Sequence, residues 1–209
     1  MKIVLYGATG KAGSRILREL LSRGHHVLAI ARDAAKLVPA DGLVVGADDL
    51  SNAAKTAEVI TGADAVISAY GPPLDKSDEL VQVTKLLVEA VAQSGVPRLL
   101  MVGGAGSLEV APGVSLIESG HLPPDWLPIA RSHSVALDVL RSSKIDWTSL
   151  SPAAYFGPGE RTGKFRLGSD NLISDEKGQS LISMEDYAIA IVDELENPRH
   201  RRQRFSVGY

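Results

Sequence analysis

Near the start of the chain, GATGKAG places Gly7, Gly10 and Gly13 at G-x-x-G-x-x-G spacing between an apolar run and an amphipathic segment. Glycine costs conformational entropy, so three in one turn point to a backbone that something approaches closely. A turn from a strand straight into a helix gathers unsatisfied N–H groups at one point, and the helix dipole adds partial positive charge there. A pyrophosphate binds at such a point. Side chains at Gly7 or Gly10 are expected to block that ligand, and Gly13 to let the helix lie close to the strand. Thr9, Lys11 and Ala12 complete the loop.

A second set of residues reads the other end of such a ligand. The run VLAIA ends in Arg32, followed by Asp33. A residue at the end of a second strand meets the adenosine ribose, where an acid suits the NAD 2′-hydroxyl and an arginine the NADP 2′-phosphate. The guanidinium fork has no reason to face a neutral diol, so NADP is expected. Asp33 keeps NAD open, and Lys11 and Lys36 add positive charge.

These residues need a scaffold. Apolar runs KIVLY (2–6), HVLAIA (26–31), GLVVG (42–46), AVISAY (65–70), RLLMVGGAG (98–106) and KIDWTSLSP (144–152) read as strands. Between them lie segments of helical period: Lys11 to Arg23, the short DAAKL, Ala53 to Ile60, Asp78 to Gln93 and Ser132 to Ser142. Strands apolar on both faces, alternating with helices, predict an α/β, Rossmann-like doubly wound parallel sheet with helices on both faces. A small C-terminal lobe follows: LISDEKGQSLIS reads as a hairpin about a DEKG turn. Ser183 with Asp186 three residues on opens a helix to about Glu196, and RFSVGY is a last strand. Without linker or repeat, residues 1–209 are expected to form one dinucleotide-binding domain. The long Pro- and Gly-rich segments 107–130 and 153–183 would supply most of an acceptor-site lobe.

The composition narrows the function classes. Of 209 residues 44% are hydrophobic and 22% charged, ordinary globular values that argue against disorder. A net charge of −3 gives no field for nucleic acid or an anionic membrane. No cysteine is present, which removes disulfides and thiolate chemistry. The apolar run before the glycines is too short for a leader, so a cytoplasmic protein is expected. The histidines lack metal-ligand spacing, so no metal is expected. GERTGK (159–164) has one residue too few between its glycines for a P-loop and no Ser/Thr after the lysine. There is no G-x-S-x-G elbow. Arg199, Arg201, Arg202 and Arg204 read as a solvated surface.

GATGKAG, VLAIARD, the acid after the third strand, ISAYG after the fourth and LSPAAYFGPG after the sixth resemble the atypical short-chain dehydrogenase/reductases. GGAGSLEV and the tail from ERTGKFRLG to RRQRFSVGY are similar to the bacterial NmrA-like group called NADH-flavin reductases, themselves similar to flavin reductase/biliverdin-IXβ reductase. The resemblance covers essentially the whole chain. It implies that Asp48, with Asp49 as rival, lies near the adenine. It also implies that Ala69, Tyr70 and Gly71 face the cofactor ribose and that Pro152 and Ala153 present backbone to the nicotinamide carboxamide.

One departure matters. The Tyr-x-x-x-Lys of short-chain dehydrogenases is absent: Tyr6, Tyr70, Tyr155 and Tyr187 are followed four places on by Gly10, Leu74, Gly159 and Ile191, and Tyr209 ends the chain. Hydride transfer to a conjugated acceptor asks for positioning more than for a proton relay. The expected activity is therefore an NAD(P)H-dependent reductase passing hydride to a flavin, quinone or similar small molecule. FMN or FAD would act as substrate rather than as bound cofactor. Gly103 to Gly106, with Gly103 and Gly104 touching the cofactor, would leave a floor open to a flat ring. His133, near a helix start and titrating near neutrality, is the candidate proton donor, with Ser107 behind it. His121, Trp126, Tyr155 and Phe156 are available for stacking. A non-catalytic NAD(P)-binding sensor is the alternative. The expected state is a monomer or homodimer without nucleic-acid or membrane partners.

Overall fold

The computed structural model describes residues 1–31 and 34–209. Arg32 and Asp33, and the cofactor preference read from them, lie outside the described residues.

The chain runs β1 (Lys2–Tyr6), α1 (Lys11–Ser22), β2 (His26–Ile30), β3 (Leu43–Gly46), α2 (Ala53–Ile60), β4 (Ala65–Ser68), α3 (Glu79–Ser94) and β5 (Leu99–Val102). It continues with β6 (Glu109–Ala111), β7 (Val114–Ser115), α4 (Leu127–Ser142), β8 (Trp147–Ser151), β9 (Tyr155–Gly157), β10 (Arg166–Gly168), β11 (Leu181–Ser183), α5 (Met184–Glu196) and β12 (Gln203–Gly208). Eight strands form one sheet in the order β10-β12-β8-β5-β4-β1-β2-β3. Only β10 is antiparallel to its neighbour. Helices α1 and α5 cover one face, and α2, α3 and α4 the other. This is the Rossmann-like doubly wound sheet expected from the alternating pattern.

Burial explains the apolar runs. In β4 and β8 every residue is buried, as strands covered on both faces require. At the sheet edge, β3 exposes Val44 and Val45. Helix α1 buries Gly13, Ile16, Leu17 and Leu20 on one stripe. It ends in a Schellman motif: Gly24 sits at φ +77°, its N–H bonds Leu21 O at 3.0 Å, and His25 N–H bonds Leu20 O at 3.1 Å. Asn52 caps α2 by accepting from the amides of Ala54 and Lys55, and the Ser183 hydroxyl accepts from Asp186 N as the capping pattern predicts.

Two expectations are corrected. Helix α4 begins at Leu127, not near Ser132, with Pro128 in its first turn, where the missing N–H costs nothing. The DEKG turn exists, with Gly178 N–H on Asp175 O, but its arms form no hairpin ladder. Leu181–Ser183 pairs instead in parallel with Tyr155–Gly157.

The C-terminal third is largely built into the main sheet. Strand β12 adds beside β8, and α5 fills one core with Tyr187, Ile191 and Leu195. What stands apart are the small pairs β6–β7 and β9–β11. Segments 107–130 and 153–183 are joined: Glu109 N–H bonds Asp170 O and Leu172 N–H bonds Glu109 O, both at 2.8 Å. Among the described residues no helix is long and apolar enough to cross a membrane.

Candidate functional site

Strand order reverses between β1 and β4, so a crevice opens there beyond the carboxyl ends of the strands. The turn after β1 lies at its edge. Gly7 has φ +76°, and a Cβ on it would stand 2.4 Å from the carbonyl oxygen of Ala69. A Cβ on Gly13 would meet the Gly7 carbonyl oxygen at 2.0 Å. Gly13 thus brings the helix down onto the turn, as expected. The reason for Gly7 is different from the expected one: its free space is filled by the turn after β4, which locks the β1 and β4 turns together. Gly10 donates its amide to Gly7 O at 2.9 Å and caps α1 without any side-chain hydrogen bond. Thr9, Gly10 and Lys11 are exposed and Ala12 is half-buried. The first-turn amides therefore lack a side-chain cap, at the positive end of a twelve-residue helix.

The two rival acids separate. Asp48 is half-buried, and its Oδ2 accepts from Tyr6 Oη at 2.7 Å and Thr56 Oγ1 at 2.8 Å, while Oδ1 accepts from Leu50 N at 3.0 Å. Asp49 is exposed and bonds the amide of Ser51. Hydrogen bonds from Ser51, first through its side chain, hold the Asp49 carboxyl below its usual range. Asp49 also lines a groove of about 830 Å³ between α2 and α3, with Ser51, Tyr70 and Glu79. Tyr70 and Ala69 are half-buried, Gly71 is exposed, and the Tyr70 hydroxyl donates to Glu79.

The glycine-lined floor is not open. A Cβ on Gly103 would fall 2.8 Å from Ser149 Oγ, and one on Gly104 would fall 2.7 Å from His133 Cβ and Cγ. Ala130 and Ile117 fill the space at Gly106. These glycines admit parts of the same chain, so the expectation of room for a flat ring is corrected. Pro152 and Ala153 are buried at the end of β8, with the Ala153 side chain in the core.

The proton-donor candidates are corrected too. His133 sits in the second turn of α4, half-buried against Gly104. Desolvation pushes its pKa down to about 4, so it is a neutral imidazole at pH 7 rather than a group titrating near neutrality. Ser107 accepts a hydrogen bond from Arg204 at 3.0 Å. Arg204 was expected on a solvated surface, yet its guanidinium is buried and paired with Asp170. Ser107 is thus an anchor for that guanidinium. Of the stacking candidates, Phe156 tilts onto the core Tyr187 with ring centroids 4.7 Å apart, whereas Trp126 and Tyr155 are exposed.

Sequence reasoning missed the Tyr6–Asp48–Thr56 cluster and the Arg204 anchor. The available signal was a polar-tipped aromatic ending a strand buried on both faces, directly before Gly7.

Residues 7–198 match a family described as NAD(P)H-binding. The Bacillus subtilis (strain 168) protein YwnB is 43% identical over 211 residues, spanning 99% of this chain and 98% of its own. A Bacteroides thetaiotaomicron structure described as a "putative epimerase" superposes with TM-score 0.94 at 46% identity, covering all of this chain and 96% of that one. A Streptococcus pneumoniae TIGR4 structure described as a "putative NADH-flavin reductase" gives TM-score 0.90 at 36% identity over 100% of this chain and 99% of that one. Epimerase and flavin reductase are different chemistries, which leaves the reaction to the site itself. The chain belongs to the NAD(P)H-binding family.

Proposed function

We propose that this protein is a cytoplasmic NAD(P)H-dependent reductase that prefers NADPH and passes hydride to a flavin, a quinone or a similar conjugated acceptor. The observation that carries it is the uncapped N-terminus of α1 at the β1–β4 crevice, with Gly13 seated on the Gly7 carbonyl. Those residues fit a dinucleotide: the bare amides of the first turn suit its pyrophosphate, and no side chain intrudes at Gly10. Bound reduced nicotinamide supplies the hydride. What the chain supplies is orientation, with the joined segments 107–130 and 153–183 as walls of the acceptor site. His133 offers a neutral imidazole with no hydrogen-bond partner among the described residues, able to donate an N–H to an acceptor oxygen. With no Tyr-x-x-x-Lys, a simple ketone is a poor substrate, and an acceptor that delocalises the arriving charge is favoured.

A regulator that binds NAD(P) without turnover is the second reading. It is favoured by the neutral His133 and by Ser107 being held by Arg204, so that neither candidate is a charged proton donor.

NADPH and NADH oxidation followed at 340 nm, with FMN and a small quinone as acceptors, separates the two. Acceptor-dependent turnover supports the reductase, and tight binding without turnover supports the regulator. Arg32→Asp tests the preference: it should turn the protein toward NADH, and an unchanged preference would discard the NADPH reading.

A further inference from the structure

Asp48 follows β3, which lies two strands from β1 in the sheet order β1-β2-β3. Its carboxylate nevertheless reaches the Tyr6 hydroxyl on β1. The segment after β3 must therefore cross over the carboxyl end of β2. Three groups hold it there. Tyr6, 1% exposed, and Thr56, 0% exposed, both donate to Oδ2 of Asp48, and the Leu50 amide closes onto Oδ1. Leu50 itself sits at φ +54°, a left-handed conformation that a branched apolar residue keeps only where its surroundings over-determine it. Its side chain packs against the same core as Tyr6. Burial, reinforced by the carboxylate beside it, holds the Tyr6 phenol far above its ordinary range, so it remains a donor wherever the protein is folded.

We propose that Tyr6 and Thr56 are positioning residues for the adenosine end of the dinucleotide site. By donating to one oxygen of Asp48 they fix the 47–52 segment across the end of β2, and so set the affinity for the adenosine half of the cofactor without touching the hydride. The same Tyr6 precedes Gly7, so one strand end positions both the pyrophosphate turn and the adenosine wall. This rests on the dinucleotide reading above.

The test is calorimetric binding of ADP-ribose and of NADPH to the whole protein and to Tyr6→Phe and Thr56→Val, with hydrogen exchange at the Leu50 amide. Thr84→Val is the control. It removes another buried threonine hydroxyl, one that bonds only its own helix at Leu80 O. Both cluster variants should bind ADP-ribose and NADPH about tenfold more weakly by the same factor, an ordinary coupling between a positioning contact and a binding site. They should also exchange Leu50 faster, while Thr84→Val does neither. Unchanged ADP-ribose affinity in both cluster variants, or an equal loss in the control, would overturn the proposal while leaving the dinucleotide reading intact. If the unaltered protein binds neither ligand, the dinucleotide reading fails and takes the proposal with it.

Discussion

Thr162 gives both its amide, at 2.8 Å, and its hydroxyl, at 2.5 Å, to the carboxylate of Asp186 at the start of α5. Gly163 N–H and the Tyr209 hydroxyl add two more hydrogen bonds, each at 2.8 Å. Beside them Glu185 accepts from Gly159 N–H and from Arg15 on α1, and Glu19 receives Arg161. The GERTGK stretch, which fell short of a P-loop in sequence, does wrap its amides around an anion, but the anion is the chain's own carboxylate.

Asp186→Asn should therefore loosen a strap across α1 and α5. Burial pushes the Asp186 carboxyl up, but hydrogen bonds from the Thr162 hydroxyl, the Gly163 amide, Tyr209 and the Thr162 amide outweigh it and hold the group below its usual range. A carboxyl lowered on folding stabilises above its unfolded pKa, near 3.9, and that stability is lost as pH falls through the lower folded value. The variant should lose about 1–3 kcal/mol at pH 7 and show a shallower acid limb below pH ~4. Denaturant melts against pH, with trypsin cleavage at Arg161 and Lys164, check both outcomes.

His133 acts in the same sense but at higher pH, because its folded pKa is likewise depressed. Between about 6.5 unfolded and about 4 folded, the unfolded chain takes up a proton that the folded one refuses, so stability falls as pH drops through that window and levels off below it. The loss is at most about 3 kcal/mol. His133→Gln should flatten this slope. A slope unchanged by the substitution would show that the imidazole is solvated, and the neutral-donor role would go with it.

Local chemistry was legible and long-range pairing was not. The bounds of α2 follow from its period and the end of α1 from Gly24, because a helix writes its ends in adjacent residues. Tyr6 and Asp48 are 42 residues apart, and Thr162 and Asp186 are 24 apart, with no shared periodicity to link them. Arg204 looked like its neighbours Arg201 and Arg202. Only the insertion of β12 beside β8 separates the buried guanidinium from the exposed ones. The glycines of 103–106 make room, as their run suggests, but the atoms that take it come from three distant places: β8 at Gly103, α4 at Gly104, and both α4 and Ile117 at Gly106.

Two glycines separate close packing from backbone conformation. Gly24 has φ +77° and nothing within 4 Å of its missing Cβ, so Gly24→Ala should cost only about 1 kcal/mol of helix-end strain. Gly13 has an ordinary helical backbone, but an alanine methyl would meet the Gly7 carbonyl at 2.0 Å and must push α1 off the turn. Gly13→Ala should weaken NADPH binding about tenfold or more, since the amides that face a pyrophosphate move with the helix. Calorimetry on both variants reads the difference. Equal affinities would mean that the turn is not where the dinucleotide sits.

At the far end of the sheet, Arg98 and Glu194 form an ion pair at 2.5 Å with both side chains buried. The Arg98 guanidinium also reaches Thr148 Oγ1 and the Glu194 carbonyl, leaving its Nε without a partner. Burial pushes the Glu194 carboxyl up, and the amide and ring of His200 with Arg98 bring it below its usual range. Removing one partner strands a buried charge, which costs about 3–5 kcal/mol, whereas replacing both with apolar groups of similar size can be neutral. Glu194→Leu should therefore be strongly destabilising, and Arg98→Met in the same chain should recover much of the loss. Because Glu194 also receives the amides of Arg199 and His200, recovery should stop short of complete. Chemical denaturation of the two single variants and the double variant measures the coupling directly, and strictly additive losses would show that the pair does not act as a unit.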